Sequence, residues 1–107
     1  MRLIHEKDIK AVIAEGDRGQ VRIKDVSSEE GFVFGLRETG PGCLVPKKPH
    51  KHELRQVMYV MEGSGTVSNG KDATPFKTGD FILFEGDEEH YFDSDGKDLK
   101  MIEVRVP

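Results

Sequence analysis

The 107-residue chain is poor in several things, and each shortage excludes a class of protein. With Cys43 as its single cysteine it can form no disulfide within itself. No apolar run approaches the length needed to cross a membrane, and the opening "MRLIHEKDIK" lacks the apolar stretch of a secretory signal, so a soluble cytoplasmic protein is expected. No basic block exceeds two consecutive lysines, and 16 basic against 20 acidic residues give a formal charge of −4. Nothing there matches the footprint of a phosphate backbone, so neither nucleic acid nor a membrane is an expected partner. The length suits one small domain, 1–107, and no linker, repeat or low-complexity segment divides it.

What the chain does have is punctuation. Twelve glycines and five prolines, several in "TGPG" and "EGSG", interrupt it at intervals that suit many short strands. Only "HEKDIKAVIAEG" reads as helical: Ile9, Val12 and Ile13 recur at helical spacing and Gly16 is a stop, giving a helix of one or two turns. From Gln20 alternation takes over, with Val21 and Ile23 opposite Arg22 and Lys24, then Phe32, Phe34 and Leu36 opposite Val33, Gly35 and Arg37. "QVMYVME" is a compact apolar strand, "GSGTVSNGKDATPF" reads as a hairpin about its "NG", and "LKMIEVRV" closes the chain with Ile102, Val104 and Val106 on one face. Roughly nine short strands without intervening helices predict an all-β antiparallel sandwich or small barrel.

Chemistry concentrates in "PHKHELRQ". Residues two apart share a face only on an extended strand, so His50 and His52 can share a ligand only there, and Pro49 favours that geometry. Gln56 lies about 13 Å from His52 along a straight strand, which predicts a reversal at Glu53, Leu54 and Arg55 that sets the start of the next strand beside the histidines. His90, in "EGDEEHYF", is the natural fourth donor. Three imidazoles and an amide oxygen suit a divalent transition ion. The same residues fit a solvated basic loop, since a lone His-x-His pair has little specificity.

The spacing resembles the two signature motifs of the cupin superfamily. In the first, two histidines separated by one residue are followed by a glutamate and then a glycine; His50, His52, position 56 and Gly63 fall in register, with Gln56 replacing the glutamate. In the second, Gly79 and His90 fit, while Glu85, Asp87 and Ser94 stand where the family has proline, glycine and asparagine, and Gly86 is a candidate for the missing turn. The resemblance covers about residues 20–106 and leaves 1–19 as an N-terminal extension.

It implies a single-domain jelly-roll β-barrel holding one divalent metal, manganese, iron, nickel, zinc or copper, on His50, His52, Gln56 and His90. Inward parity from Gln56 through Met58 and from His90 through Phe92 sets those two side chains beside the metal, with Leu36 and Ile102 across from them; plain core packing explains all four equally well. Phe32, Phe34, Phe81 and Phe84 read as core. Arg37, Glu38, Glu103 and Arg105 fit outward faces, an inter-subunit contact or, in one case, a clamp for a substrate carboxylate. Glu53 and Tyr59 are candidate proton acceptors. The expected activity is isomerase, lyase or oxygenase chemistry on a small oxygen-rich metabolite, a sugar or an organic acid that can be anionic. The competing reading is a non-catalytic binding protein serving as sensor or accessory. A chain this short gains core by pairing, and a homodimer is expected.

Overall fold

A computed structural model describes residues 1–29, 31–50 and 53–107, with side chains at all of these except 48–50. Among the described residues ten strands follow a 3-10 turn at Glu6–Asp8: β1 Val12–Glu15, β2 Gln20–Glu29, β3 Phe32–Thr39, β4 Leu44–His50, β5 Arg55–Glu62, β6 Ser64–Ser68, β7 Ala73–Lys77, β8 Phe81–Phe84, β9 His90–Ser94 and β10 Leu99–Val106. All pairings are antiparallel. They form a six-stranded sheet ordered β1-β2-β3-β10-β5-β8 and a four-stranded sheet ordered β4-β9-β6-β7. No described helix is long and apolar enough to cross a membrane.

The helix expected at the N-terminus shrinks to the turn at Glu6–Asp8, and Val12–Glu15 is a strand instead. Val12 and Ile13 are β-branched, and pairing with Ile23 and Arg22 on β2 supplies ladder hydrogen bonds that an isolated short helix could not match. The "NG" hairpin forms between β6 and β7, where the Asn69 carboxamide oxygen accepts from the backbone N–H groups of Lys71 and Asp72.

The core lies between the sheets. Met58, Val60, Phe84, Leu99 and Met101 come from one side, and Val45, Val67, Phe76 and Phe92 from the other. Phe92 binds the layers by meeting Phe84 and Phe76 edge to face, at centroid separations of 6.0 and 6.1 Å. Each fully buried apolar side chain contributes roughly 1.5–3 kcal/mol.

The parity of β3 and β10 is the reverse of the apolar one. Gly35, Arg37 and Thr39 on β3, and Leu99, Met101 and Glu103 on β10, are the buried set. Leu36 pairs with Ile102, and Ile102 with Tyr59, on the opposite, outer face. Phe32, Phe34 and Phe81 are also substantially exposed, so of the four phenylalanines read as core only Phe84 is buried.

The departures from the second motif find their reasons in the loop before β9. Asp87 is the only described non-glycine residue with a left-handed backbone, at φ 65°, and it occupies the family's glycine position. Aspartate tolerates that region better than most side chains. Gly86 is therefore not the left-handed residue; it is where the loop passes close to Glu53, since a Cβ there would lie 2.5 Å from the Glu53 carbonyl oxygen. Ser94 ties the end of β9 to the "TGPG" turn, accepting from the Cys43 N–H at 2.8 Å and donating to the Gly40 carbonyl at 3.0 Å.

Candidate metal centre

Gln56 stands at the start of β5, in register with Phe84 on β8 and Arg105 on β10. His90 opens β9 and is register-paired with His50, the last residue of β4. The His50 side chain and all of His52 lie outside the described residues. The reversal between them differs from the one expected. β4 and β5 are not hydrogen-bonded neighbours but belong to different sheets, so the chain crosses between layers and Gln56 approaches from the sheet opposite the histidine strands.

Gln56 is only 2% exposed, and its amide has one chemically sensible orientation. Its Nε2 lies 2.6 Å from Glu103 Oε1, and a carboxylate can only accept, so the NH2 group must point there. Nε2 also lies 3.2 Å from Met58 Sδ. The amide oxygen, turned the other way, is buried and has no hydrogen-bond partner among the described residues. Leaving such an acceptor unsatisfied costs roughly 1–3 kcal/mol, so this oxygen calls for a donor or a cation from beyond the described residues.

The orientation rests on an ionic network around Glu103, itself almost fully buried. Its Oε2 accepts from Arg37 at 2.6 Å and lies 2.9 Å from Arg105. Arg37 reaches on to Asp25 at 2.7 Å and to the Leu36 carbonyl at 3.0 Å. A Cβ on Gly35 would strike the Asp25 oxygen that Arg37 uses, so this glycine makes the pairing possible. The outward-face reading of Arg37 and Glu103 is thus corrected: both are interior, because each finds an opposite charge there.

Gln56 and His90 line one cavity of about 100 Å³ together with Arg37, Glu103 and Arg105. Met58 and Phe92 form part of its apolar wall, whereas Leu36 and Ile102 are absent from it. Ile102 instead lines an outer hollow with Val57, Tyr59 and Phe81. His90 is held by the Phe84 ring, 4.9 Å away, and its Nδ1 lies 3.5 Å from the Glu88 carbonyl oxygen. A proton on Nδ1 directed at that carbonyl presents the lone pair on Nε2. The two candidate proton acceptors lie elsewhere: Tyr59 packs on Phe81 at 4.7 Å on the outer face, and Glu53 is exposed.

No group of three or more His, Cys, Asp or Glu side chains converges among the described residues, as follows when two of the three proposed histidine ligands fall outside them. The donors that are described fit a divalent transition ion: one imidazole and one preoriented amide oxygen, without thiolate.

Over residues 35–105 the sequence matches the family model Cupin_2, the cupin domain. A search of curated proteins gave no match. Among solved structures the chain is similar to a predicted oxalate decarboxylase from Thermotoga maritima, with 20% identity, 98% of each chain covered and a TM-score of 0.83. It is also similar to the polyketide cyclase RemF from Streptomyces resistomycificus, with 24% identity, 98% of this chain and 78% of that one covered, and a TM-score of 0.80. A third is a cupin 2 conserved barrel domain protein from Salinispora arenicola, with 14% identity, 100% and 87% covered, and a TM-score of 0.74. At these identities the likenesses establish the fold.

Proposed function

The chain belongs to the cupin family, and on that premise we propose that it is a metal-dependent cupin whose His50, His52, Gln56 and His90 hold one divalent transition ion and present it to a small oxygen-rich metabolite. Cupins commonly bind a metal. One observation carries the reading: the buried Gln56 oxygen, aimed by Glu103, has no partner among the described residues and shares a cavity with His90. His50 is in register with His90, so its backbone is already at the same end of the four-stranded sheet.

A divalent ion on these donors would supply Lewis-acid polarisation of a ligand oxygen. None of the four proposed ligands carries charge, so an anionic or chelating ligand is favoured. The chain's own contribution is positioning. Glu103, with both oxygens engaged, fixes the Gln56 amide instead of moving protons, and the apolar wall of Met58 and Phe92 limits water beside the site. The reaction class stays within isomerase, lyase or oxygenase chemistry.

Element-resolved mass spectrometry of untagged protein tests this. About one transition ion per chain, lost in the His50→Ala, His52→Ala double variant, is the expected result. Metal-free protein whose melting temperature no added manganese, iron, nickel, zinc or copper shifts would contradict it.

We further propose that the outer apolar face of the six-stranded sheet pairs with a second copy. Phe81 is 73% and Leu83 58% exposed, and Val57, Tyr59, Ile102 and Val104 extend the patch. Light scattering after size exclusion should report a dimer that Phe81→Glu converts to monomer; a monomeric wild type would refute the pairing.

A further inference from the structure

Two buried polar atoms without hydrogen-bond partners sit on neighbouring strands of the same inner face. One is the Gln56 oxygen, and the other is Nε of Arg105. Gln56 and Arg105 are direct cross-strand partners, and both line the central cavity. Directly opposed side chains on one face have Cβ atoms only about 4.5–5.5 Å apart. The two residues therefore lie side by side, one with an acceptor atom and the other with a charged donor atom that has no partner among the described residues.

Among the described residues, the two other arginines near this end are already engaged. Arg37 is shared between Glu103 and Asp25 and also donates to the Leu36 carbonyl. Arg55 gives both Nε and a terminal nitrogen to the Pro107 carbonyl oxygen, at 3.2 and 2.8 Å. Arg105 spends one terminal nitrogen on Glu103, at 2.9 Å, and keeps its Nε–H buried. A guanidinium N–H removed from water calls for an oxygen acceptor, and an anionic one answers it best. Thr39 also has a buried hydroxyl without a partner and lines the cavity, but it is register-paired with Leu99, six residues along β10 from Arg105, and so belongs to the far end.

We infer that Arg105 is the specificity residue of the cavity and that the ligand is a small 2-hydroxy acid. Its carboxylate accepts from Arg105 Nε–H, and its hydroxyl lies at the Gln56 oxygen. This rests on the reading of the cavity as a ligand site and narrows the metabolite to an acid over a sugar. Size agrees: about 100 Å³ is well under the roughly 300–1,000 Å³ of drug-sized pockets, and apart from Arg37, Thr39, His90 and Glu103 the rest of the wall is apolar. In protein freed of metal by chelation the hydroxyl donates to the Gln56 oxygen, so the pairing can be read without a metal.

The test titrates chelator-treated protein with glycolate, with glycolamide, which keeps the shape and the hydroxyl but loses the charge, and with inorganic phosphate. Glycolate should bind at least about tenfold more tightly than glycolamide, as a charge-assisted hydrogen bond implies. Arg105→Lys keeps a cation for Glu103 but removes Nε–H, and should abolish that preference. Independently of any variant, the Arg105 Nε–H resonance in wild-type protein should move with glycolate and not with glycolamide. Equal binding of the two, phosphate bound as well as glycolate, or no saturable glycolate shift would overturn the proposal. Metal content of the same preparations separates the two ideas. Loss of the metal result with an intact glycolate preference removes the metal centre alone, and the reverse removes the acid.

Discussion

Both faces of the six-stranded sheet mix charge with apolar side chains: buried charge sits among the core residues within, and large apolar side chains lie beside Lys24, Glu38 and Lys100 on the outside. The inner face, looking into the barrel, carries Arg37, Gln56, Glu103 and Arg105, while the outer face carries Phe34, Leu36, Tyr59, Phe81, Leu83 and Ile102. Buried charge is tolerated because it is mutually paired, and the exposed apolar surface is the face proposed above to meet a second copy. What this teaches is that alternation in a strand separates two faces without saying which one is inside. Interior charge in a small barrel is costly enough that a site, not the fold, explains its presence.

The largest expected effect lies at Glu103, the hub of the buried ion pairs. Glu103→Ala should destabilise the protein by about 3–5 kcal/mol in urea denaturation, because Arg105 loses its counter-charge in the interior and Arg37 keeps only Asp25. The triple change Arg37→Met, Glu103→Leu, Arg105→Met should recover much of that loss while abolishing any metal or acid binding, which would separate the network's functional role from a stabilising one. Next in size, Met58→Ala on the inner face should cost about 2–5 kcal/mol. Leu83→Ala on the outer face should change monomer stability by no more than about 0.5 kcal/mol. Similar losses at both would mean that the faces are not distinct.

Smaller effects sharpen the picture at its edges. Asp87→Ala should lose about 1–2 kcal/mol from its left-handed backbone, whereas Asp87→Gly should be neutral or stabilising, measured by denaturant midpoint. The smallest change concerns the N-terminal turn, which Glu6 fastens to the sheet. The hydrogen bond from Lys100, then the pull of both Lys100 and Lys24, holds the Glu6 carboxyl below its ordinary value of 4.5. A depressed carboxylate contributes above its unfolded value and is lost as pH falls through the folded one. Amide exchange in residues 6–9 should therefore accelerate, relative to the rest of the molecule, only as the solution is acidified below about 4.5, and Glu6→Gln should remove that dependence.

Much of the fold was legible because turns are local. "NG" builds the β6–β7 hairpin through Asn69, and Gly63 and Gly79, both motif glycines, adopt φ of 101° and 94° that other residues resist. His90 and Gln56 were legible as a pair by motif spacing, and both reach one cavity. The inward parity of β3 and β10 was not legible. Ile102, Val104 and Val106 form the more apolar row, and hydrophobicity alone assigns them to the core. What reverses the assignment is long-range: Arg37 and Glu103 lie 66 residues apart and neutralise each other only once β3 and β10 pair. One signal was available, since Glu103 and Arg105 stand two apart beside an arginine-bearing strand, the pattern of an internal ion pair as much as of a solvated face. The helical reading of Ile9, Val12 and Ile13 failed for a related reason, because the edge of β2 that recruits β1 is not visible in twelve residues.

Anomalous diffraction from crystals grown with manganese or zinc would show whether Glu103 turns the Gln56 oxygen toward a metal shared with His90. One peak per chain is expected within about 2.0–2.2 Å of both Gln56 Oε1 and a His90 ring nitrogen, with Gln56 Nε2 still on Glu103. A peak elsewhere, or a Gln56 amide rotated away from Glu103 with no ion beside it, would rule out that metal centre.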